Sequence, residues 1–308
     1  MSINFSLILP CYNEEKNIFF IWNEFIKLPI RNYNVELIFV NNGSTDKTKH
    51  EIKRKIKINK FKKIIIKTIN LKKNQGYGSA IISLFNYARE NNAEIMITLD
   101  GDGQHDPDEI SLLVNALTKH NVDVVIGSRF LNSDNEAPKY RQKGIKIITS
   151  AVNYGTNLKV SDSQSGFRAY SKTAIDLLHP TDENMSVSTE ILFKISNKGL
   201  SLAEVPINVS YDGNTSEQNP IPHGLSVLGN TIKYVSIKHP LKFYGIPGIS
   251  LITIGIILGG IFLDAYLNNQ VIFYGSLLGS LILFLLGAIM SVTAIILFSM
   301  ANLIQSNK

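Results

Sequence analysis

The sequence has little cysteine: Cys11 is the only one in 308 residues. A single thiol excludes an internal disulfide framework and any thiolate metal cluster, and suits a reducing compartment. Charge is missing from the C-terminal end, where Asp264 is the one charged residue between Phe243 and Ala301. Two apolar runs result, 246–263 with its flank back to Phe243, and 271–301. Each reaches the roughly 20 helical residues that a bilayer core requires. Basic residues do not precede the short apolar run of MSINFSLILPCYNEE, which reads as a strand rather than a signal peptide, so the first 240 residues are expected in the cytoplasm. The connection DAYLNNQ (264–270) has no Lys or Arg, whereas Lys233, Lys238 and Lys242 precede the first span. The positive-inside rule then puts both ends of a two-span hairpin on the cytoplasmic side. Aromatics are scarce where positive charge is dense: twelve Lys or Arg between 47 and 73 share that stretch with Phe61 alone. That disfavours nucleic acid and leaves a solvated helix face or attraction to an anionic membrane.

What is present is a chain of short β-branched runs alternating with helical patterns. SLILP (6–10), VELIFV (35–40), KIIIKTI (63–69), EIMITL (94–99) and VDVVIG (122–127) are continuous rather than alternating. Strands buried on both faces look like this, so a doubly wound, mainly parallel α/β sheet is expected. Helices fit 14–28, 46–58, 77–91, 107–119, 141–159 and 186–198, with a short strand in 162–171 and another at 202–209. The helix at 107 follows Asp106-Pro107, a cap and a first-turn proline. Residues 224–237 place Leu225, Leu228, Ile232, Val235 and Ile237 roughly on one side, as in an amphipathic helix lying on a membrane. The expected organisation is a catalytic domain over 1–222, an interface helix over 223–239 and a transmembrane hairpin over 240–308, with spans near 243–263 and 271–301.

Ligands of such sheets lie beyond the carboxyl ends of the strands. Four polar or glycine-rich turns fall there: PCYNEE, NNGSTD, NQGYG and DGDGQHD. In the last, Asp100 and Asp102 can both point into the crevice while Gly101 and Gly103 let the backbone bend. Paired carboxylates with open positions suit Mg²⁺ or Mn²⁺ completed by substrate phosphates, with Gln104 as a neutral oxygen. His105 is less apt for a hard ion. Asp106 and Asp108 read more simply as helix-start residues.

The chain resembles the inverting family 2 glycosyltransferases of the dolichol-phosphate mannose synthase group. The matches are LPCYNEE (9–15), NNGSTD (41–46), NQGYGSA (74–80), LDGDGQHDP (99–107), GSRF (127–130) and DSQSGFRAY (162–170). The resemblance implies a GT-A-like fold followed by an amphipathic interface helix and a transmembrane hairpin. It also implies a nucleotide-sugar donor and a polyprenyl or dolichyl phosphate acceptor. Pro10, Tyr12, Glu14 and Glu15, then Asn41, Asn42 and Gly43, match the turns that bind base and ribose, and Asn74, Gly76 and Gly78 permit close approach to the ligand. Asp100 and Gly101 match the position near ribose and phosphate, and Asp102 and Gln104 the groups that reach the metal. Arg129 and Arg141 match those that grip the acceptor phosphate, and Glu190 an acidic position on the sugar side. Asp162 can touch substrate or cap the turn at Ser165 and Gly166; Arg168 can reach diphosphate or brace its loop. The chain departs from the pattern at Asn41 and Asn42, where aspartates are usual, and in the 211–224 stretch, which lacks a basic residue other than His223. These departures leave glucose and N-acetylglucosamine open beside mannose.

The expected reaction is one in-line displacement with inversion of the sugar. A hydroxyl-directed polysaccharide synthase would need a multi-helix channel that one hairpin does not offer. A catalytically silent nucleotide-sugar-binding scaffold is the other alternative. Glycines 245, 248, 255, 259, 260, 275, 279 and 287 can pack helices within the hairpin or between subunits of a homo-oligomer.

Overall fold

The computed structural model describes residues 3–18, 22, 33–58, 64–132, 137–209, 220–269 and 274–306. The chain divides into two compact units, Met1–Thr231 and Ile232–Lys308.

The first unit is built on a seven-stranded sheet of order β3-β2-β1-β4-β6-β5-β7. Its strands are β1 (Ile3–Cys11), β2 (Tyr33–Asn42), β3 (Ile64–Leu71), β4 (Ile95–Thr98), β5 (Val124–Ser128), β6 (Arg168–Ser171) and β7 (Leu202–Pro206). β3, β2, β1 and β4 run parallel, as do β5 and β7. β6 is antiparallel to both its neighbours, β4 and β5. The sheet is therefore mainly parallel, as expected, with one reversed strand where the 162–171 segment inserts. Leu7, Leu9, Leu37, Phe39 and Ile97 are buried with Leu113, Val125 and Phe167 in one core, which explains why these strands read as uninterrupted apolar runs.

Helices α1 (Thr48–Ile58), α2 (Tyr77–Glu90), α3 (Ile110–Lys119), α4 (Lys139–Thr156) and α6 (Val187–Lys198) fall near the expected segments, while α5 (Lys172–Leu177) is a short helix the sequence did not announce. The helix expected over 14–28 lies largely outside the described residues. The helix expected from 107 opens as a single 3₁₀ turn, Pro107–Glu109, because the Asp106 carboxylate accepts from the Asp108 N–H and tightens the start. In the basic stretch, Lys49, Lys53, Arg54 and Lys57 are exposed, a solvated helix face; Lys55 departs from it and is buried.

The register places the site. Ile8 pairs with Thr98, so β4 ends while β1 still has Leu9, Pro10 and Cys11 to run. The acidic turn is therefore laid beside the last residues of β1, at the point where the strand order switches direction.

α7 (Pro220–Lys238) spans the segment whose apolar residues were read as one side, and it divides them. Val227, Thr231 and Val235 are buried, while Leu225, Ile232 and Ile237 stay exposed. In the second unit a π-helical turn, Leu241–Gly245, leads into α8 (Ile246–Asn269), followed by α9 (Tyr274–Ser306). Two stretches are long and apolar enough to cross a membrane, Leu241–Asn268 and Tyr274–Leu303. The first helix runs through most of the 264–270 connection, with Asn268 donating to the Asp264 carboxylate one turn back at 2.7 Å. The backbones of Gly248 and Gly287 lie against each other, and Gly255 lies against Ser280 and Phe284, so these glycines are used inside the helix pair.

Candidate active site

The turns after β1 and β2 are bonded together by short side chains. Asn13, left-handed at φ 57°, accepts from the Thr45 N–H at 2.9 Å, and the Glu14 N–H donates to Thr48 Oγ1 at 2.8 Å. Asn42 donates to the Gly76 carbonyl at 2.9 Å and to Asn74 Oδ1 at 3.1 Å, tying β2 to the loop before α2. These bonds align one wall of a cavity of about 730 Å³ at the carboxyl ends of the strands.

The cavity brings together Pro10, Tyr12, Glu14, Asn42, Asn74 and Gly76 with Asp100, Gly101, Asp102 and Gln104, and with Arg129 and Arg141. The acidic turn is wedged tightly. A side chain at Gly166 would overlap the Asp100 carboxylate, so only glycine lets the 162–167 loop close over it. Asp100 Oδ1 accepts from the Tyr77 hydroxyl at 3.0 Å, and its Oδ2 lies 3.8 Å from His105 Nε2. Burial pushes the Asp100 pKa up, but His105, Tyr77 and Arg129 outweigh it and hold the carboxyl below its ordinary range. Asp102 is pushed the other way, first by burial and then by the Asp100 charge, with partial relief from His105, the Gln104 N–H and Arg141. Glu14 is raised to about 7, by burial and by the charges of Asp102, Asp46 and Asp100, against a hydrogen bond from Asn17.

The remaining expected residues stand behind this wall. Asn41 is buried, donating to Asn70 Oδ1 and accepting from the Ser44 N–H, both at 3.1 Å. Glu15 accepts from the Lys47 N–H at 3.0 Å. Gly43 packs on the backbone of Lys73 and Asn74, and Gly78 on that of Asp182 and Glu183. Asp162 is fully buried and grips Arg129 with both oxygens, at 2.6 Å to Nε and 2.8 Å to Nη2. Arg168 is buried and spends its guanidinium on the carbonyls of Ser163, Ser165 and Ser188, so it braces its loop. Glu190 accepts from the Thr181 N–H and hydroxyl and the Asp182 N–H, and pairs with Lys194 at 2.8 Å. It fixes the 181–186 loop that brings Asn184 and Met185 to the cavity.

Sequence reasoning missed Tyr77, Gln164, Asn184, Met185, Ser188 and Ser226, all of which line the cavity. Tyr77 was legible as the residue between Gly76 and Gly78, and Gln164 as a member of DSQSGFRAY; the others lie in stretches with no motif. Among the described residues no group of three or more His, Cys, Asp or Glu gathers as a closed metal site.

The model of glycosyl transferase family 2 matches residues 6–178. A UDP-N-acetylglucosamine–dolichyl-phosphate N-acetylglucosaminyltransferase of Methanococcus voltae is 32% identical over 224 residues, 67% of this chain and 85% of the relative. A dolichol-phosphate mannosyltransferase of Pyrococcus furiosus is 28% identical over 206 residues, 65% of this chain and 55% of the relative. A glucosyl-3-phosphoglycerate synthase of Mycobacterium tuberculosis, solved with Mn²⁺, UDP-glucose and phosphoglyceric acid, has a TM-score of 0.58 at 17% identity, covering 76% of this chain and 80% of that one. That likeness is one of fold, and the first unit is GT-A-like.

Proposed function

Because this chain belongs to the family 2 glycosyltransferases, we propose that it transfers a hexosyl group, with inversion, from a nucleotide sugar to a membrane polyprenyl or dolichyl phosphate. The observation that carries this reading is the meeting of Asp100 and Asp102 with Arg129 and Arg141 in one cavity. Carboxylates and guanidinium groups facing a common space suit two anionic substrates, one held through a cation and one directly.

The donor set fits a hard divalent ion, Mg²⁺ or Mn²⁺. Burial and the Asp100 charge raise the pKa of Asp102, a carboxylate whose charge a cation would compensate. An incomplete set of protein ligands suits an ion whose remaining positions belong to substrate oxygens. Asp102 and Gln104 would hold it, and bound there it would screen charge on the departing diphosphate. Tyr77 and His105 orient Asp100 beside it.

The acceptor phosphate is ionised near neutral pH, with a second pKa of about 6, and needs no strong general base. It needs alignment with the anomeric carbon. Arg129 provides this from a guanidinium whose direction Asp162 fixes, and Arg141 from the first turn of α4. The sugar would lie against the neutral side of the cavity, at Gln164, Asn184, Met185 and Ser188. The Methanococcus relative supports UDP-N-acetylglucosamine as the first donor to try, with UDP-glucose and GDP-mannose beside it. The two apolar helices would hold the first unit on the cytoplasmic side of a bilayer, where a polyprenyl phosphate presents its head.

The test is a panel of UDP- and GDP-sugars with short polyprenyl phosphates and Mg²⁺ or Mn²⁺, reading glycolipid by mass spectrometry. One donor should yield a single-sugar phosphodiester. Nucleotide-sugar binding with no transfer to any polyprenyl phosphate would overturn the reading in favour of a silent scaffold.

A further inference from the structure

Ser186 stands at the N-cap of α6, where a serine hydroxyl ordinarily accepts from an N–H of the first turn, yet it makes no such bond. Its hydroxyl is turned back toward the preceding loop. It donates to Asp182 Oδ2 at 2.5 Å, and the same oxygen accepts from Asn230 Nδ2 at 2.7 Å. Asp182 Oδ1 in turn accepts from the Asn184 N–H at 2.8 Å. Ser186 is only 1% exposed, so the middle of this chain of bonds is closed to water. Asn230 comes from α7 and belongs to the first unit. Ser226, one turn before it on the same side of that helix, lines the cavity. Asn184 and Met185 lie between Asp182 and Ser186 and also line the cavity, but both are exposed, so packing does not hold them in place.

The direction of the chain follows from its carboxylate end. A carboxylate only accepts, so the Ser186 proton is committed to Asp182, and the Asn230 atom that meets Ser186 Oγ has to be the amide nitrogen. We propose that Asn230 is a positioning residue for the donor sugar: through Ser186 and Asp182 it sets Asn184 and Met185 at the neutral wall of the cavity. Glu190 holds the start of the same loop, at the Thr181 and Asp182 N–H groups. The Glu183 carbonyl accepts from the Ser79 N–H at 3.2 Å, against the first turn of α2. The Asn230 bond closes the far end, and its donation to the hydroxyl strengthens the hydroxyl's own bond to Asp182. α7 thereby takes part in the sugar site through two residues, Ser226 at the cavity surface and Asn230 behind it.

This inference rests on the cavity being the donor-sugar site, and two readouts separate them. The full chain is assayed in lipid nanodiscs with the active donor. Asn230→Asp keeps the side-chain shape but puts an acceptor where the donor was. It should lower kcat/KM for the donor about tenfold, while inhibition by the matching free nucleoside diphosphate stays within about twofold. Adding Asp182→Asn reverses the chain, because the introduced amide donates to Ser186 Oγ and the Ser186 proton turns to the introduced carboxylate. The double variant should return to within about threefold of the unmodified chain. A double variant no better than Asn230→Asp alone, or an equal loss of nucleoside diphosphate binding, would mean a general structural role and overturn the proposal. Hydrogen exchange read by mass spectrometry needs no turnover. Asn230→Asp should speed exchange in peptides covering 181–187 about fivefold or more, and the double variant should restore protection. Unchanged exchange in Asn230→Asp would overturn the link. Absence of transfer from every donor would overturn the functional reading instead, and exchange would still decide the link.

Discussion

On the β1–β2 side of the cavity, turns are joined by short polar side chains bonding nearby backbone: Asn13 to Thr45, Asp46 to Thr48, Asn42 to Gly76. On the β5–β6 side, charged groups do the bonding. Asp162 clamps Arg129, Glu204 accepts from the Ser161 and Asp162 N–H groups, and Arg168 and Glu190 hold loops from within the fold. The first construction makes a pliant wall for a ligand with many neutral hydrogen-bonding groups. The second makes a rigid one, where a guanidinium can meet an anion without reorganising. It is also the more fragile, since a buried ion deprived of its partner costs far more than a lost neutral bond.

The comparison turns on the acidic turn where the two walls meet, and the largest effect on turnover is expected there, the largest on stability at Asp162. Asp102→Ala should lower kcat at least a hundredfold, about 3 kcal/mol in the barrier, with an unchanged or slightly higher melting temperature, because the residue sits against the Asp100 charge. Normal turnover with saturating divalent metal would remove Asp102 from the chemistry. Next comes Asp162→Ala, which strands Arg129; denaturant unfolding should show a loss of about 3–5 kcal/mol. Asn41→Ala, on the pliant side, should cost about 1 kcal/mol. Equal losses at the two positions would erase the distinction between the walls.

A smaller effect on turnover than at Asp102 is expected at Gly166, where an added methyl group would collide with the Asp100 carboxylate. Gly166→Ala should reduce kcat/KM about tenfold, or ~1.4 kcal/mol, with a lowered unfolding midpoint. The smallest is a pH effect at Glu14, whose pKa rises from 4.5 to about 7 in the folded chain. Folding favours its protonated form, so this contribution to stability is complete below about pH 4.5 and is lost as pH rises through 7. Glu14→Gln should therefore gain in melting temperature over the unmodified chain between pH 5 and 8, in chelator-treated samples. A difference that does not vary with pH would contradict the shift.

Much of the pliant side could be read from the sequence, because its bonding residues sit in polar turns at strand ends: Asn42 closes β2 and Gly76 lies in the loop before α2. The rigid side could not. Asp162, Arg168 and Glu190 read as candidate site residues, yet their side chains are spent on protein groups. Met185, Ser188 and Ser226 reach the cavity from segments with no local signature.

The sequence by itself determined the parallel half of the sheet, the acidic turn after β4 and two stretches greasy enough to cross a bilayer. Each is a property of a local run of residues: burial on both faces, strand length, or apolar transfer to lipid. Only the tertiary structure decided that β6 enters the sheet reversed, which carboxylates face the cavity and which arginine is clamped behind it. Those outcomes depend on partners up to about a hundred positions away, as between Glu109 and Asn208, and on the cost of leaving any buried charge unpaired.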